Sequence, residues 1–433
     1  MGVSVARRAK QIQTHRGRTS PCAYWLAGRC NRNPCKFLHT SQPHTTYHYA
    51  NTPYTYTRNS HSSSHSNSKK EALTRNNRDE TSIVKPPRKS SLPSICKYWI
   101  NGNCVYGQKC RNLHSWFHGD HLSSVAKLQQ HKKAITGIAL PVGSDKLYSG
   151  STDGTVRIWD CHTGGCSNVV NFGVKVTSLI SEGPWVFVGI HNAVKAWNIQ
   201  TLSEFTLDGP KGQVLSMIVG NDTLFAGAED GVIYAWRGSA EANSSSPFEL
   251  VASLTGHSKA VVCLTVGRKR LYSGSMDQSI KAFLSCFLQG WDIDTLECEM
   301  TLNGHTDVVT SLVCWDHYLL SSSFDCTVKV WAATEEITLK EIYTHTEKNG
   351  VVALSGMTDA EGNHILFCSC KDNSVCLYDM PSFSERGRLF TKKEVTTFEL
   401  GPDGLFFTGD GTGLLTVWKW LDVKMASSVQ HPA

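Results

Sequence analysis

The chain has 433 residues, 40% of them hydrophobic, with 43 Lys and Arg against 37 Asp and Glu and sixteen cysteines. No run of about 18 apolar residues is present to span a bilayer, and the N-terminus lacks the apolar stretch of a secretory signal. A soluble intracellular chain is therefore expected, with its cysteines as reduced thiols or metal ligands.

Charge is segregated along the chain. Residues 1–121 carry a net +15 and the remainder −9, so a basic module suited to a polyanion precedes an acidic domain that a polyanion would avoid. Residues 1–21 read as a flexible basic arm. Gly2 makes no myristoylation signal, because Ala6 stands where that motif needs Ser or Thr.

Cys22, Cys30, Cys35 and His39 follow at x7, x4, x3 spacing, and Cys96, Cys104, Cys110 and His114 repeat the order at x7, x5, x3. Three thiolates and one imidazole fill the four positions of a structural zinc site and leave none for water. Two structural Zn2+ ions are expected, in modules at 22–39 and 96–114. Gly28 and Gly102 ease the turn before each second thiolate.

These arrays resemble the CCCH zinc-finger family, whose members commonly bind single-stranded RNA. The resemblance implies that Phe37 and Tyr106 stack on unpaired bases. Tyr24, Trp25, Tyr98 and Trp99 are further aromatic candidates, and Trp25 and Trp99 equally suit each finger's own small core. Arg29, Arg32, Lys36, Lys97, Lys109 and Arg111 are the cations available to phosphates. Two departures stand out: Asn112 replaces the aromatic at Phe37, and Thr19-Ser20-Pro21 and Pro93-Ser94-Ile95 replace the basic-aromatic lead-in of AU-rich-element binders. AU-rich specificity is not implied.

Residues 40–95 are rich in Ser, Thr, Asn and His with few aliphatics, a composition that cannot bury enough apolar surface to offset ordering, so a disordered polar linker is expected. Its histidines lack ligand spacing.

From residue 122 to 421 short alternating runs recur, closing at Trp159, Trp197, Trp236, Trp291, Trp331, Tyr378 and Trp418, with a flexible tail over 422–433. The best-formed repeat is 304–331: a Gly304-His305 turn, two apolar runs, an acidic turn at Asp325 and alternation into Trp331. Units this small must stack to make a core. Over some 300 residues the pattern resembles the WD40 family, and the resemblance implies a mainly β fold, a seven-bladed WD40 β-propeller preceded by two small CCCH fingers. The family also implies a structural hydrogen-bond network across a blade. His257, Asp277 and Trp291, and His305, Asp325 and Trp331 with Ser321, are the residues placed for it. The repeat with His191-Asn192 at its acidic turn is degenerate and is expected to lack the network. The first outer strand, near 121–128, is expected to pair in the blade ending at Trp418.

One repeat carries an excess of eight residues: nine (282–290) separate Lys281 from Trp291, where one separates Lys329 from Trp331. This is either a partner-binding loop or the trace of a gene-model error or splice variant.

Fingers followed by such a propeller resemble the plant CCCH zinc-finger/WD-repeat family. The resemblance implies a non-enzymatic, zinc-dependent adaptor that binds single-stranded RNA at one end and docks protein partners on the propeller, with no membrane or small-molecule substrate. Two alternatives remain: a DNA-associated regulator, or a ubiquitin-ligase substrate receptor whose fingers bind protein. No helix for reading the major groove is evident, and neither Trp159-Asp160 nor Trp291-Asp292 is followed by the Arg of the ligase-adaptor signature. The clusters Arg7-Arg8-Ala9-Lys10 and Lys85-Pro86-Pro87-Arg88-Lys89 suit either phosphate contact or nuclear import, so an intracellular protein, nuclear and/or cytoplasmic with the nucleus slightly favoured, is expected.

Overall fold

Alternating runs bounded by tight turns become antiparallel strands, and the strands gather into six sheets. The computed structural model describes residues 94–119, 122–238, 247–267, 270–284, 298–315, 317–334, 338–359 and 361–421. The chain divides into units of residues 1–87 and 88–433, and all described residues fall in the second. Among them no helix is long and apolar enough to cross a membrane.

The first sheet holds Ile135–Ala139, Lys146–Ser151, Thr155–Asp160 and Cys166–Asn171. The second has six strands: Ser178–Glu182, Trp185–Asn198, Glu204–Gly220, Thr223–Ala228, Ile233–Gly238 and Phe248–Leu254. The third holds Val261–Gly267, Arg270–Ser275, Ile280–Leu284 and Cys298–Leu302. The fourth holds Val309–Trp315, Tyr318–Ser323, Thr327–Ala333 and Leu339–Thr346. The fifth holds Val351–Thr358, His364–Cys370, Ser374–Asp379 and Ser384–Phe390. The sixth holds Val395–Leu400, Leu405–Asp410 and Leu414–Trp420, completed by Leu122–Gln129.

The expected count of seven blades is corrected to six. The repeats ending at Trp197 and Trp236 do not form separate sheets but share the six-stranded one. The physical cause is strand continuity. Residues 185–198 run as one strand through Asn192, which takes a positive φ of 64° without ending it. Residues 204–220 likewise pair with 191–197 at one end and with Thr223–Ala228 at the other. A degenerate turn with no Gly-His pair gives the chain nothing to break these strands.

The ring closes through its ends. Leu122–Gln129 pairs antiparallel with Leu414–Trp420, from Leu122 opposite Trp420 to Gln129 opposite Leu414, so the last sheet takes its outermost strand from the start of the propeller. Glycine is required there: a Cβ on Gly413, at φ 83°, would lie 2.5 Å from the His131 carbonyl oxygen.

Apolar faces meet between neighbouring sheets. Leu320, Val328 and Val330 of the fourth pack against Val351, Leu354 and Leu366 of the fifth. Ile365, Phe367 and Leu389 of the fifth pack against Phe406, Trp418 and Trp420 of the sixth. Stacking copies supplies the core that one repeat lacks.

The fifth sheet carries an additional edge strand, Phe117–His118, paired with Leu389 and Arg388. The Phe390 N–H donates to the Trp116 carbonyl at 2.9 Å, and Trp116 and Phe117 pack on the apolar cluster between the fifth and sixth sheets. Gly387 permits the approach, since a Cβ there would lie 2.8 Å from the His118 carbonyl oxygen. The second finger thus runs straight into a propeller sheet.

Candidate metal centre and nucleic-acid interface

Between Cys96 and Cys104 the chain makes one helical turn, Lys97–Ile100. Gly102 closes it at φ 73°, with its N–H donating to the Trp99 carbonyl at 2.9 Å. A single 3-10 turn, Gly107–Lys109, then delivers Cys110. A bridge between Ile95 and Leu113 ties the two ends together, with the Cys96 N–H donating to the Leu113 carbonyl at 2.9 Å. These short-range bonds bring one ligand atom each from Cys96, Cys104, Cys110 and His114 within 4.8 Å of one another.

The donor set fits a metal ion on its own terms. His114 Nε2 is buried and has no hydrogen-bond partner, an arrangement that is costly for a bare imidazole and natural for a ligand. Burial opposes ionisation of the Cys96 thiol, but the Trp99 backbone N–H and the His114, Cys104 and Cys110 side chains outweigh it and pull the thiol down to about 6. Cys96, Cys104, Cys110 and His114 are the residues that would hold zinc, which would replace a hydrophobic core in a segment this short.

Around this centre the aromatics divide by exposure. Trp99 stacks on His114 at 5.7 Å and 14° and lies 5.0 Å from Trp116, so it faces the finger's interior and the propeller junction. Tyr98 and Tyr106 are 69% and 66% exposed. Lys97, Lys109 and Arg111 are exposed beside them. Asn112 accepts a hydrogen bond from Ser94 Oγ at 3.2 Å, so it fastens the finger's start where the first array has Phe37. The first-array residues Cys22, Tyr24, Trp25, Arg29, Cys30, Arg32, Cys35, Lys36, Phe37 and His39, and residues 40–93 of the linker, lie outside the described residues.

In the propeller, His305 Nδ1 lies 2.8 Å from Asp325 and Nε2 lies 2.8 Å from Ser321 Oγ, which also accepts the Trp331 indole N–H at 2.8 Å. His131, Asp153, Ser149 and Trp159 repeat the arrangement in the first sheet. His257 reaches Asp277 and Ser273, each at 2.8 Å. Trp291 lies outside the described residues, and the register position that Trp331 holds opposite Leu319 is taken in the third sheet by Phe283, opposite Leu271. Residues 285–297, which include most of the excess, lie outside the described residues as well.

Burial lowers the pKa of His131, His257 and His305 below the usual imidazole value. Against burial, hydroxyl and backbone donors and the neighbouring histidine hold Asp153 and Asp277 down to about 2. The order Ser-His-Asp is that of a hydrolase relay, but Ser321 is wholly buried and its oxygen is occupied by Trp331. The arrangement does structural work.

Two features escape sequence reading. Trp116 and Phe117 anchor the second finger to the propeller; their only local signal is an aromatic pair directly after His114. The second is a cluster of Glu347, Cys370 and Cys376, whose ligand atoms also lie within 4.8 Å of one another. Superposing the repeat ending at Tyr378 on the one ending at Trp331 would have found it. An apolar cavity of about 360 Å3 opens between the fourth and fifth sheets, lined by Trp315, Tyr318, Ile342, Tyr343, Pro381 and Phe383.

The WD domain, G-beta repeat family model matches residues 122–160, 248–283 and 296–332, and a zinc finger domain model matches 96–114. Zinc finger CCCH domain-containing protein 17 of Oryza sativa subsp. japonica is 50% identical over 409 residues, covering 92% of this chain and 91% of the relative. Zinc finger CCCH domain-containing protein 48 of Arabidopsis thaliana is 49% identical over 407 residues, covering 92% and 91%. The crystal structure of the WD40 β-propeller domain of Doa1 covers 72% of this chain and all of its own, at a TM-score of 0.58 and 19% identity, which speaks for the fold alone. The zinc-finger and WD-repeat family matches and the near-full-length similarity place the chain in one family: it belongs to the plant CCCH zinc-finger proteins that carry a WD-repeat propeller.

Proposed function

We propose that this protein is a zinc-dependent RNA-binding adaptor, holding single-stranded RNA on its CCCH fingers and protein partners on its propeller. The observation that carries the reading is the division of aromatics in the second finger. Trp99 is turned inward, while Tyr98 and Tyr106 stand 69% and 66% exposed among Lys97, Lys109 and Arg111. Exposed rings beside cations suit unstacked bases and their phosphates. Among the described residues a duplex would meet no helix long enough to enter its major groove, since the second finger's helix has four residues. The +15 charge of residues 1–121 supplies the sequence-independent attraction.

Fluorescence anisotropy of the full chain with labelled single-stranded RNA tests this, with duplex DNA as competitor. Binding is expected to weaken steeply with salt and to fall about tenfold or more for Tyr98→Ala with Tyr106→Ala, at about 1–3 kcal/mol per stacked base. It should vanish when Cys22→Ser and Cys96→Ser are combined. Indifference to RNA at low salt, or preferential displacement by duplex DNA, defeats the reading.

A further inference from the structure

The fifth sheet keeps the strand register of the fourth but replaces its polar positions. His305 precedes Val309 by four residues, and Val309 lies opposite Ser323; Glu347 precedes Val351 by four, and Val351 lies opposite Cys370. Ser321, opposite Leu312, becomes Cys368, opposite Leu354. Lys329, opposite Ser321, becomes Cys376, opposite Cys368. Trp331 becomes Tyr378. Three thiols and a carboxylate therefore gather where the fourth sheet has an imidazole, two hydroxyls and an ammonium.

The gathering is tight and enclosed. Cys368, Cys370 and Cys376 are at most 2% exposed, and the Glu347 side chain is 8% exposed. Ligand atoms of Glu347, Cys370 and Cys376 lie within 4.8 Å of one another. Cysteine as a small hydrophobe explains buried sulfur. It does not explain a carboxylate carried in among three of them, since a buried carboxylate demands a compensating partner.

The groups facing the cluster are few. The Tyr378 hydroxyl lies 2.5 Å from Glu347 Oε1 and orients the carboxylate as an outer-shell partner would. His345 Nε2 lies 3.8 Å from the same oxygen. Arg388 stands across the strand pair from Cys376, with its Nε donating to Glu385 at 2.7 Å. Asp372, which matches Asp325, is turned to Ser374 and Asn349 instead and takes no part.

We propose that Glu347, Cys370 and Cys376 bind a zinc ion inside the fifth sheet, with the neighbouring Cys368 thiol, which stands outside that 4.8 Å group, moving in as the fourth donor. Thiolates with one oxygen ligand in a closed, four-coordinate set suit a structural Zn2+. Binding sends the thiol protons to solvent, and the Arg388 guanidinium tempers the negative charge left behind. None of its ligands belongs to either finger array.

Metal content of the purified full chain tests this, read by inductively coupled plasma mass spectrometry. Replacing Cys22, Cys30, Cys96 and Cys104 with Ser removes both finger sites. That variant is expected to retain about one zinc per chain, and to lose it when Cys370→Ser and Cys376→Ser are added. Zinc-free protein from the finger variant overturns the proposal, and so does a Cys370–Cys376 disulfide in the metal-supplied chain. Glu347→Gln on the finger variant keeps the thiols and so guards against misfolding. It should release zinc to a chelator at least about tenfold more readily; unchanged retention also overturns the proposal.

Discussion

The fourth and fifth sheets share one backbone plan and differ in what closes it. In the fourth, His305, Asp325, Ser321 and Trp331 hydrogen-bond in a chain of 2.8 Å contacts, and Lys329 reaches out to Glu341 at 2.8 Å. In the fifth, sulfur fills the strand positions, and the one short polar contact left in the equivalent place is Tyr378 to Glu347. A propeller sheet therefore needs its apolar layers everywhere, but the polar closure can be exchanged for another chemistry. Where it is exchanged, a different set of donors has room to enter.

The largest test of that contrast is Trp331→Ala. The indole is 3% exposed, so its loss opens a cavity and also leaves Ser321 short of a donor; a destabilisation of about 3–5 kcal/mol is expected. Tyr378→Phe, by contrast, keeps the ring and removes only the contact to the Glu347 carboxylate, at about 1.5–3 kcal/mol. Denaturant titrations of both variants measure the difference. If Tyr378→Phe proves as damaging as Trp331→Ala, the fifth sheet depends on its polar closure as much as the fourth does, and the contrast fails.

Acid separates the sheets next. Burial depresses His305, so below about 6.5 the unfolded chain takes up a proton that the folded chain refuses. Stability is then fully present above that value and is lost as pH falls. Asp325 is also held low, by Thr327, Thr306 and His305 acting against burial, and adds a second loss below about 3.9. Thermal unfolding followed from pH 7 to pH 5 should show a falling midpoint. Three buried histidines contribute, His131, His257 and His305, so His305→Gln should reduce the slope by about a third while lowering the midpoint at pH 7. An unchanged slope would show that the histidine networks do not govern acid sensitivity.

What could be read in advance follows the range of the forces involved. Cys96, Cys104, Cys110 and His114 were legible because ligand spacing is local: one helical turn and one 3-10 turn fix the loop between them. The strands of the repeat ending at Trp331 were legible for the same reason, with alternation and turn residues lying within a few positions. The closing pair was also foreseeable, because an unpaired strand at each end of a ring has one partner to find; Leu122–Gln129 lies against Leu414–Trp420. The number of sheets was not legible. Whether Asn192 bends a strand or ends it is decided by pairing on both sides, and that is a tertiary outcome. The docking of Phe117 was hidden too, since its partner Leu389 is near the far end of the chain. The Glu347 cluster was obscured because each cysteine alone is an ordinary strand residue, and only the register places the three thiols on one face.

The smallest expected effect lies in the third sheet, midway between the two compared. Ser273 accepts from or donates to His257 at 2.8 Å, as Ser321 does with His305, but Phe283 holds the register position of the indole. Phe283 is 1% exposed and packs among Leu254, Val261 and Leu271. Phe283→Trp would offer Ser273 the N–H that Ser149 and Ser321 already receive, a gain of about 1 kcal/mol. The larger ring must enter a filled core, at a cost of similar size or more. A net change within about 1 kcal/mol is expected, accompanied by slowed exchange of the new indole proton, both measurable on one sample. A loss well beyond that range would show that the third sheet has repacked around phenylalanine and can no longer accept the closure its neighbour uses. Phe283 would then have become part of this core in its own right.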